Sequence, residues 1–337
     1  MEGPLVVDQA GALYGMTNIG GRRPGGLIFK LIPSANGTIW TYQVLADICP
    51  EAGNNCQNLS QANFGLTYAG ASTGAMYDGT SPLYGTSRLG GLGLYGAVFR
   101  TSPRPANAKW SIDVIHSFCF QSGCVDGGFP AANVVVDEAG NLFGTATWGG
   151  ANGGGTLFEL QKKHHTRVQT ILYNFCSQMN CTDGEAPTAV TEGLAGNLIG
   201  AASTDPNSCA FAYRCDLLFQ FAAGTDWSEQ IIHQFCKRPD CRDGTQPVGV
   251  LATPSGSLYG ASIYGGGHDA DENGKGGGTI FRLDSSFDVL RRFCRRPNCA
   301  DGEYPNSAIL VDAVGNIFGT TQTGGPNGAG EVFELTP

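Results

Sequence analysis

The sequence predicts an all-β fold, a six-bladed β-propeller built from six four-stranded repeats and fitted with short-range disulfides. Three observations carry this. A short motif ending in glycine recurs six times, 51 of the 337 residues are glycine while only 15% are charged, and twelve cysteines fall into six close pairs. Glycine is about twice its usual share and charge well below the usual quarter, a composition of short strands and many turns. No strict three-residue glycine period appears, so the chain is not collagen-like, and 41% hydrophobic residues exclude a disordered chain.

The motif reads Ala12-Leu13-Tyr14-Gly15, Pro82-Leu83-Tyr84-Gly85, Asn141-Leu142-Phe143-Gly144, Asn197-Leu198-Ile199-Gly200, Ser257-Leu258-Tyr259-Gly260 and Asn316-Ile317-Phe318-Gly319, with glycine intervals of 70, 59, 56, 60 and 59 residues. A glycine-rich loop and a second apolar run follow each copy. The third repeat shows the whole unit: strand A over Asn133–Asp137, a tight turn, strand B over Leu142–Thr147, a loop, strand C over Thr156–Leu160 and strand D over Gln169–Phe175. Short apolar runs bounded by Gly and Asn read as strands, and no segment keeps a 3.6-residue period. Four strands in 55 to 60 residues is the size of a propeller blade. The repeats run approximately over 1–56, 57–124, 125–181, 182–241, 242–299 and 300–337, as one domain. Gln57–Thr80 holds an extra segment, and the chain starts at a strand A and stops after a strand C.

The cysteine pairs are Cys49/Cys56, Cys119/Cys124, Cys176/Cys181, Cys209/Cys215, Cys236/Cys241 and Cys294/Cys299. An even count in regular close pairs points to disulfides and an oxidising compartment, whereas a zinc knuckle prefers C-x2-C. A secreted or cell-surface protein whose leader has been removed is therefore expected. The net charge of −9 argues against nucleic acid as partner, and no apolar run is long enough for a membrane span.

The runs Asn141-Leu-Phe-Gly-Thr-Ala-Thr-Trp-Gly-Gly150 and Asn316-Ile-Phe-Gly-Thr-Thr-Gln-Thr-Gly-Gly325, each followed by Phe-Glu-Leu, with Asp-Gly and Pro between repeats, resemble the Gloeo_Verruco (GloVer) tandem repeat of bacterial surface or secreted proteins. The resemblance implies export and a propeller scaffold. It hands over no catalytic residues.

In an up-and-down blade the A–B and C–D turns share one face, and the B–C and D–A loops share the other. The A–B turns look short and nearly identical. The B–C and D–A loops vary, so function is expected there. Residues repeated in most blades read as structural: Asp126, Asp183, Asp243 and Asp301 of the recurring Asp-Gly; Asn141, Asn197 and Asn316 in turns; His116 and His233 in packing on strand D. Blade-specific residues are the functional candidates. Arg22, Arg23, Arg88, Trp148, Phe129, Gln246 and Tyr304 are expected to bind substrate, the last three approaching the central channel just before strand A. Asp205, His268, Tyr264, Glu185 and Glu303 are the catalytic candidates. Asp269, Asp271 and Asn273 match the start of a calcium loop, although Ile280 stands where its acidic twelfth residue belongs, so Ca2+ is the candidate ion and no organic cofactor is expected.

These groups suit an extracellular glycan, with Trp and Tyr faces stacking on sugar rings and Arg reading a uronate carboxylate. No H-E-x-x-H or phosphate loop is present. A glycoside hydrolase or polysaccharide lyase, a non-catalytic glycan- or protein-binding module, and a self-assembling surface protein all stay open.

Overall fold

The structure is a computed structural model. It describes the chain apart from residues 1–2, 22–24, 49–58, 63, 105–106, 165, 205–215, 225–226, 238–239, 268–275, 313 and 337. The fold is the all-β, six-bladed propeller that the repeats predict, with six antiparallel sheets in chain order. Two compact units, residues 1–175 and 176–337, hold three blades each.

In the first unit, blade one runs from Val6–Val7 through Leu13–Met16 and Leu27–Pro33 to Trp40–Asp47. Blade two has strands at Leu83–Ser87, Ala97–Arg104 and Asn107–Ser117. Its strand A survives only as isolated bridges, Ser60 to Leu89 and Thr67 to Tyr84. Blade three keeps the predicted unit, with strand A split into Gly128–Pro130 and Val135–Val136, then Leu142–Trp148, Thr156–Lys163 and Thr166–Asn174.

In the second unit, blade four has Glu185–Glu192, Leu198–Ser203, Asp216–Phe221 and Glu229–Gln234. Blade five has Thr245–Ala252, Leu258–Tyr264, Thr279–Leu283 and Phe287–Arg292. Blade six has a split strand A, Glu303–Pro305 and Leu310–Val311, then Ile317–Thr323 and Val332–Leu335.

One contact explains the repeated glycine. In every blade it lies directly across from a strand C phenylalanine: Gly15 with Phe29, Gly85 with Phe99, Gly144 with Phe158, Gly200 with Phe219, Gly260 with Phe281 and Gly319 with Phe333. A Cβ at Gly144 would come 2.5 Å from Phe158 Cζ, and the other five glycines meet their phenylalanines in the same way. The ring covers the bare glycine backbone and is itself fully buried in blades two to five. A β-bulge in the C–D pairing falls at the same phenylalanine in blades one to five. Such a bulge bends and twists the strand locally. The apolar faces then pack blade against blade, as where Phe118 of blade two joins Val134, Leu142 and Phe158 of blade three.

The A–B turns are not all alike. Between Thr67 and Leu83 blade two carries an insertion, and its Tyr77 is fully buried against Tyr14 of blade one, ring centroids 5.2 Å apart and edge-on. Asp8 anchors this contact: it accepts the Tyr14 hydroxyl at 3.0 Å and pairs with Lys30 at 3.3 Å. Glycine- and serine-rich composition hid the role of Tyr77, because no copy of it exists in the other repeats. Among the described residues no helix is long and apolar enough to cross a membrane.

Candidate functional site

The D–A loops are tied down by the Asp-Gly aspartates, as the repeat suggests. Asp126 accepts the Phe120 N–H at 2.9 Å. Asp183 accepts the Ser177 N–H and hydroxyl, both at 2.7 Å, and Asp301 the N–H groups of Arg295 and Arg296 at 3.0 Å. Asp243 accepts the Cys236 N–H at 3.1 Å. Each carboxylate thus closes a loop stapled by a disulfide: Cys119–Cys124, Cys176–Cys181, Cys236–Cys241 and Cys294–Cys299. The other two cysteine pairs lie outside the described residues. Glu303 lies beside Cys294 and Cys299, but both sulfurs are bridged, so the three do not offer a thiolate metal site. Four short-range disulfides suit an oxidising environment.

Two residues before the strand D phenylalanine the side chain faces this aspartate. Arg291 lies 3.1 Å from Asp301, and His233 Nε2 3.2 Å from Asp243 with its ring stacked on Phe287 at 3.7 Å. His116 packs edge-on against Phe118, and its Nε2 is buried with no partner among the described residues. Burial pushes its pKa down to about 4, opposed by Asp126. Both histidines serve packing, as expected, although His116 carries an unmet polar atom.

The loops that these anchors support bring three of the expected binding residues together. Trp148 is the last residue of strand B in blade three, 42% exposed. Its ring stacks on Tyr95 of blade two, centroids 5.3 Å apart and planes inclined by 15°. Phe129 fills the angle between them, 5.1 Å from Tyr95 and 5.9 Å from Trp148. The exposed Arg88 guanidinium lies 5.8 Å from the Phe129 ring, a cation–π distance. The register places Gly128 across from Trp148, and a Cβ at Gly128 would crowd Trp148 at 3.2 Å and touch Tyr95 at 3.4 Å. The backbone fixes the rest: Phe129 donates its N–H to the Tyr95 carbonyl at 2.6 Å, and Thr147 its hydroxyl to the Phe129 carbonyl at 2.9 Å. The result is a half-exposed aromatic shelf with a cation at its edge. Sequence reading missed Tyr95. The signal was present: the corresponding loop positions of blades three and six are Gly154 and Ala329.

In the second unit, Tyr264 ends strand B of blade five, and its ring meets Tyr304 edge-on at 5.2 Å. Tyr304 donates its N–H to the Gly277 carbonyl at 2.8 Å. Gln246 donates its own to Asp216 at 2.6 Å. Glu303 accepts the Thr323 hydroxyl at 3.0 Å, and Glu185 sits in strand A of blade four across from Ser203. Phe129, Gln246 and Tyr304 lie within the first stretch of strand A rather than before it. Arg22, Arg23, Asp205, His268, Asp269, Asp271 and Asn273 fall outside the described residues.

No family model matches the chain, and no curated protein sequence does. Solved structures do share its fold. An α-L-arabinanase of Penicillium chrysogenum complexed with arabinobiose is 13% identical, with a TM-score of 0.55 over 99% of this chain and 96% of that one. An ulvan lyase from a new family of polysaccharide lyases is 11% identical with a TM-score of 0.51, covering 94% of this chain and 76% of that one. The Trypanosoma rangeli sialidase is 10% identical with a TM-score of 0.51, covering 98% of this chain but 53% of its own. These likenesses define a class by architecture, the β-propellers, and these three members act on carbohydrates by different chemistries. At such identities they speak for the fold alone.

Proposed function

We propose that the protein is a secreted propeller that engages an extracellular, uronate-bearing glycan at the B–C loops of its blades. The observation that carries this reading is the shelf of Tyr95, Phe129 and Trp148 with Arg88 at its edge. Stacked aromatic faces that stay partly in water suit the C–H face of a sugar ring. Arg88 adds paired N–H donors for a carboxylate, and no carboxylate of the described residues pairs with it. The carbohydrate-acting proteins of the same architecture support the ligand class.

A second reading makes the protein a carbohydrate-active enzyme, a glycoside hydrolase or polysaccharide lyase. It is favoured by Tyr264 and Tyr304 in ring contact, with Glu303 preceding Tyr304 in the chain and its carboxylate accepting the Thr323 hydroxyl. A tyrosine can supply the base a lyase needs, and a hydrolase would pair Glu303 with a second carboxyl group such as Glu185 or Asp205. Calcium at Asp269, Asp271 and Asn273 belongs to the same proposal.

The test is a panel of neutral and uronate-bearing polysaccharides, scored for binding and for products. Binding without products establishes the first reading. New reducing ends establish a hydrolase, and rising absorbance near 235 nm a lyase. Silence on the whole panel rejects the glycan.

A further inference from the structure

One backbone position recurs with an unusual conformation in five blades. It follows the residue of strand A that pairs with the end of strand B: Ser60 with Leu89, Gly128 with Trp148, Glu185 with Ser203, Thr245 with Tyr264 and Glu303 with Thr323. The next residue is left-handed every time: Gln61 at φ 54°, Phe129 at 55°, Ala186 at 47°, Gln246 at 53° and Tyr304 at 57°. Four of the five precede proline, which further restricts the backbone. This conformation is costly for any side chain and free for glycine. The chain uses glycine freely at positive φ elsewhere, yet at none of these five positions.

Comparison with a second repeated position separates two explanations. The bridged cysteines of the D–A loops, such as Cys119, Cys176, Cys236 and Cys294, are also left-handed. There the residue is the same in every copy, because the disulfide requires it. At the strand A position the conformation repeats while the side chain changes from Gln to Phe, Ala, Gln and Tyr. The scaffold therefore needs the backbone shape, and something else retains the side chains. Two of them contact the aromatic residues of the B–C loops, Phe129 with Tyr95 and Trp148, and Tyr304 with Tyr264. The Gln246 side chain has no hydrogen-bond partner among the described residues, only its N–H does. The backbone is held from the preceding blade in three cases, by the Tyr95 carbonyl, the Asp216 carboxylate and the Gly277 carbonyl.

We infer that Gln61, Phe129, Ala186, Gln246 and Tyr304 are specificity-determining positions of this protein: one strained residue in each of five blades, kept non-glycine so that its side chain reads the ligand. The inference rests on the glycan reading and states which residues discriminate among glycans.

Gln246→Gly and Tyr304→Gly test it, by thermal melting without ligand and by affinity for the tightest polysaccharide of the panel. Relief of strain should leave the melting temperature of Q246G equal to wild type or raise it by about 1–2 °C. Affinity should fall about three- to tenfold in each variant. Unchanged affinity in both variants overturns the inference. If wild type binds nothing in the panel, the glycan reading falls and this inference falls with it; if wild type binds but Q246G melts lower, the side chain is scaffold and the inference alone is overturned.

Discussion

The indole of Trp148 stacks on the phenol ring of Tyr95 across two adjacent blades, 5.3 Å between centroids. Gly128 lies against both residues, where a Cβ would come 3.2 Å from the Trp148 ring and 3.4 Å from Tyr95. Because Trp148 is 42% exposed, its removal should spare the fold and remove a binding surface. Trp148→Ala and Tyr95→Ala are each expected to weaken glycan binding about tenfold by calorimetry, with melting temperature nearly unchanged. Arg88→Gln should weaken uronate-bearing polymers and leave neutral ones alone.

Gly144→Ala should destabilise blade three by about 1–3 kcal/mol, since its Cβ would meet the Phe158 ring at 2.5 Å. The effect should be coupled. Phe158→Leu opens space, so the double variant should lose less than the sum of the single losses. Additive losses in denaturant titration would show that the ring does not set the glycine.

His116 makes stability depend on pH. Its folded pKa is lowered to about 4 from an ordinary 6.5, so the unfolded chain binds the proton more readily. Stability is therefore complete above the unfolded pKa and falls as pH drops from about 6.5 towards 4, by roughly 3 kcal/mol in all. Melting curves at pH 7 and pH 5 should separate in wild type and draw together in His116→Leu.

Asp183→Ala leaves the Ser177 N–H and hydroxyl and the Gln178 N–H without their acceptor. A loss of roughly 3 kcal/mol is expected. The folded fraction should bind glycan as wild type does, which separates an anchor from a ligand-binding group.

The described cysteines are bridged, so the native protein should take up no alkylating reagent at Cys119, Cys124, Cys176, Cys181, Cys236, Cys241, Cys294 or Cys299 until it is reduced. Peptide mapping checks each pair by position.

The sequence by itself determined the scaffold. A blade is a local object: Gly144 meets Phe158 fourteen residues away, and Asp183 holds a loop that begins six residues before it. Interactions of so short a range repeat wherever the words repeat, so strands, turns, disulfides and anchoring aspartates were all legible. Trp148, Phe129 and Arg88 were legible too, as candidates that depart from the repeat. Only the tertiary structure decided which of them meet. Tyr95 and Trp148 are 53 residues apart and touch because neighbouring blades present their loops side by side. The left-handed backbone of Gln61 and Tyr304 is equally invisible in the residues themselves, since neither type favours it. It is imposed by strand pairing and by bonds from the preceding blade, as at Tyr304 with the Gly277 carbonyl, and such long-range constraints leave no mark in the local pattern.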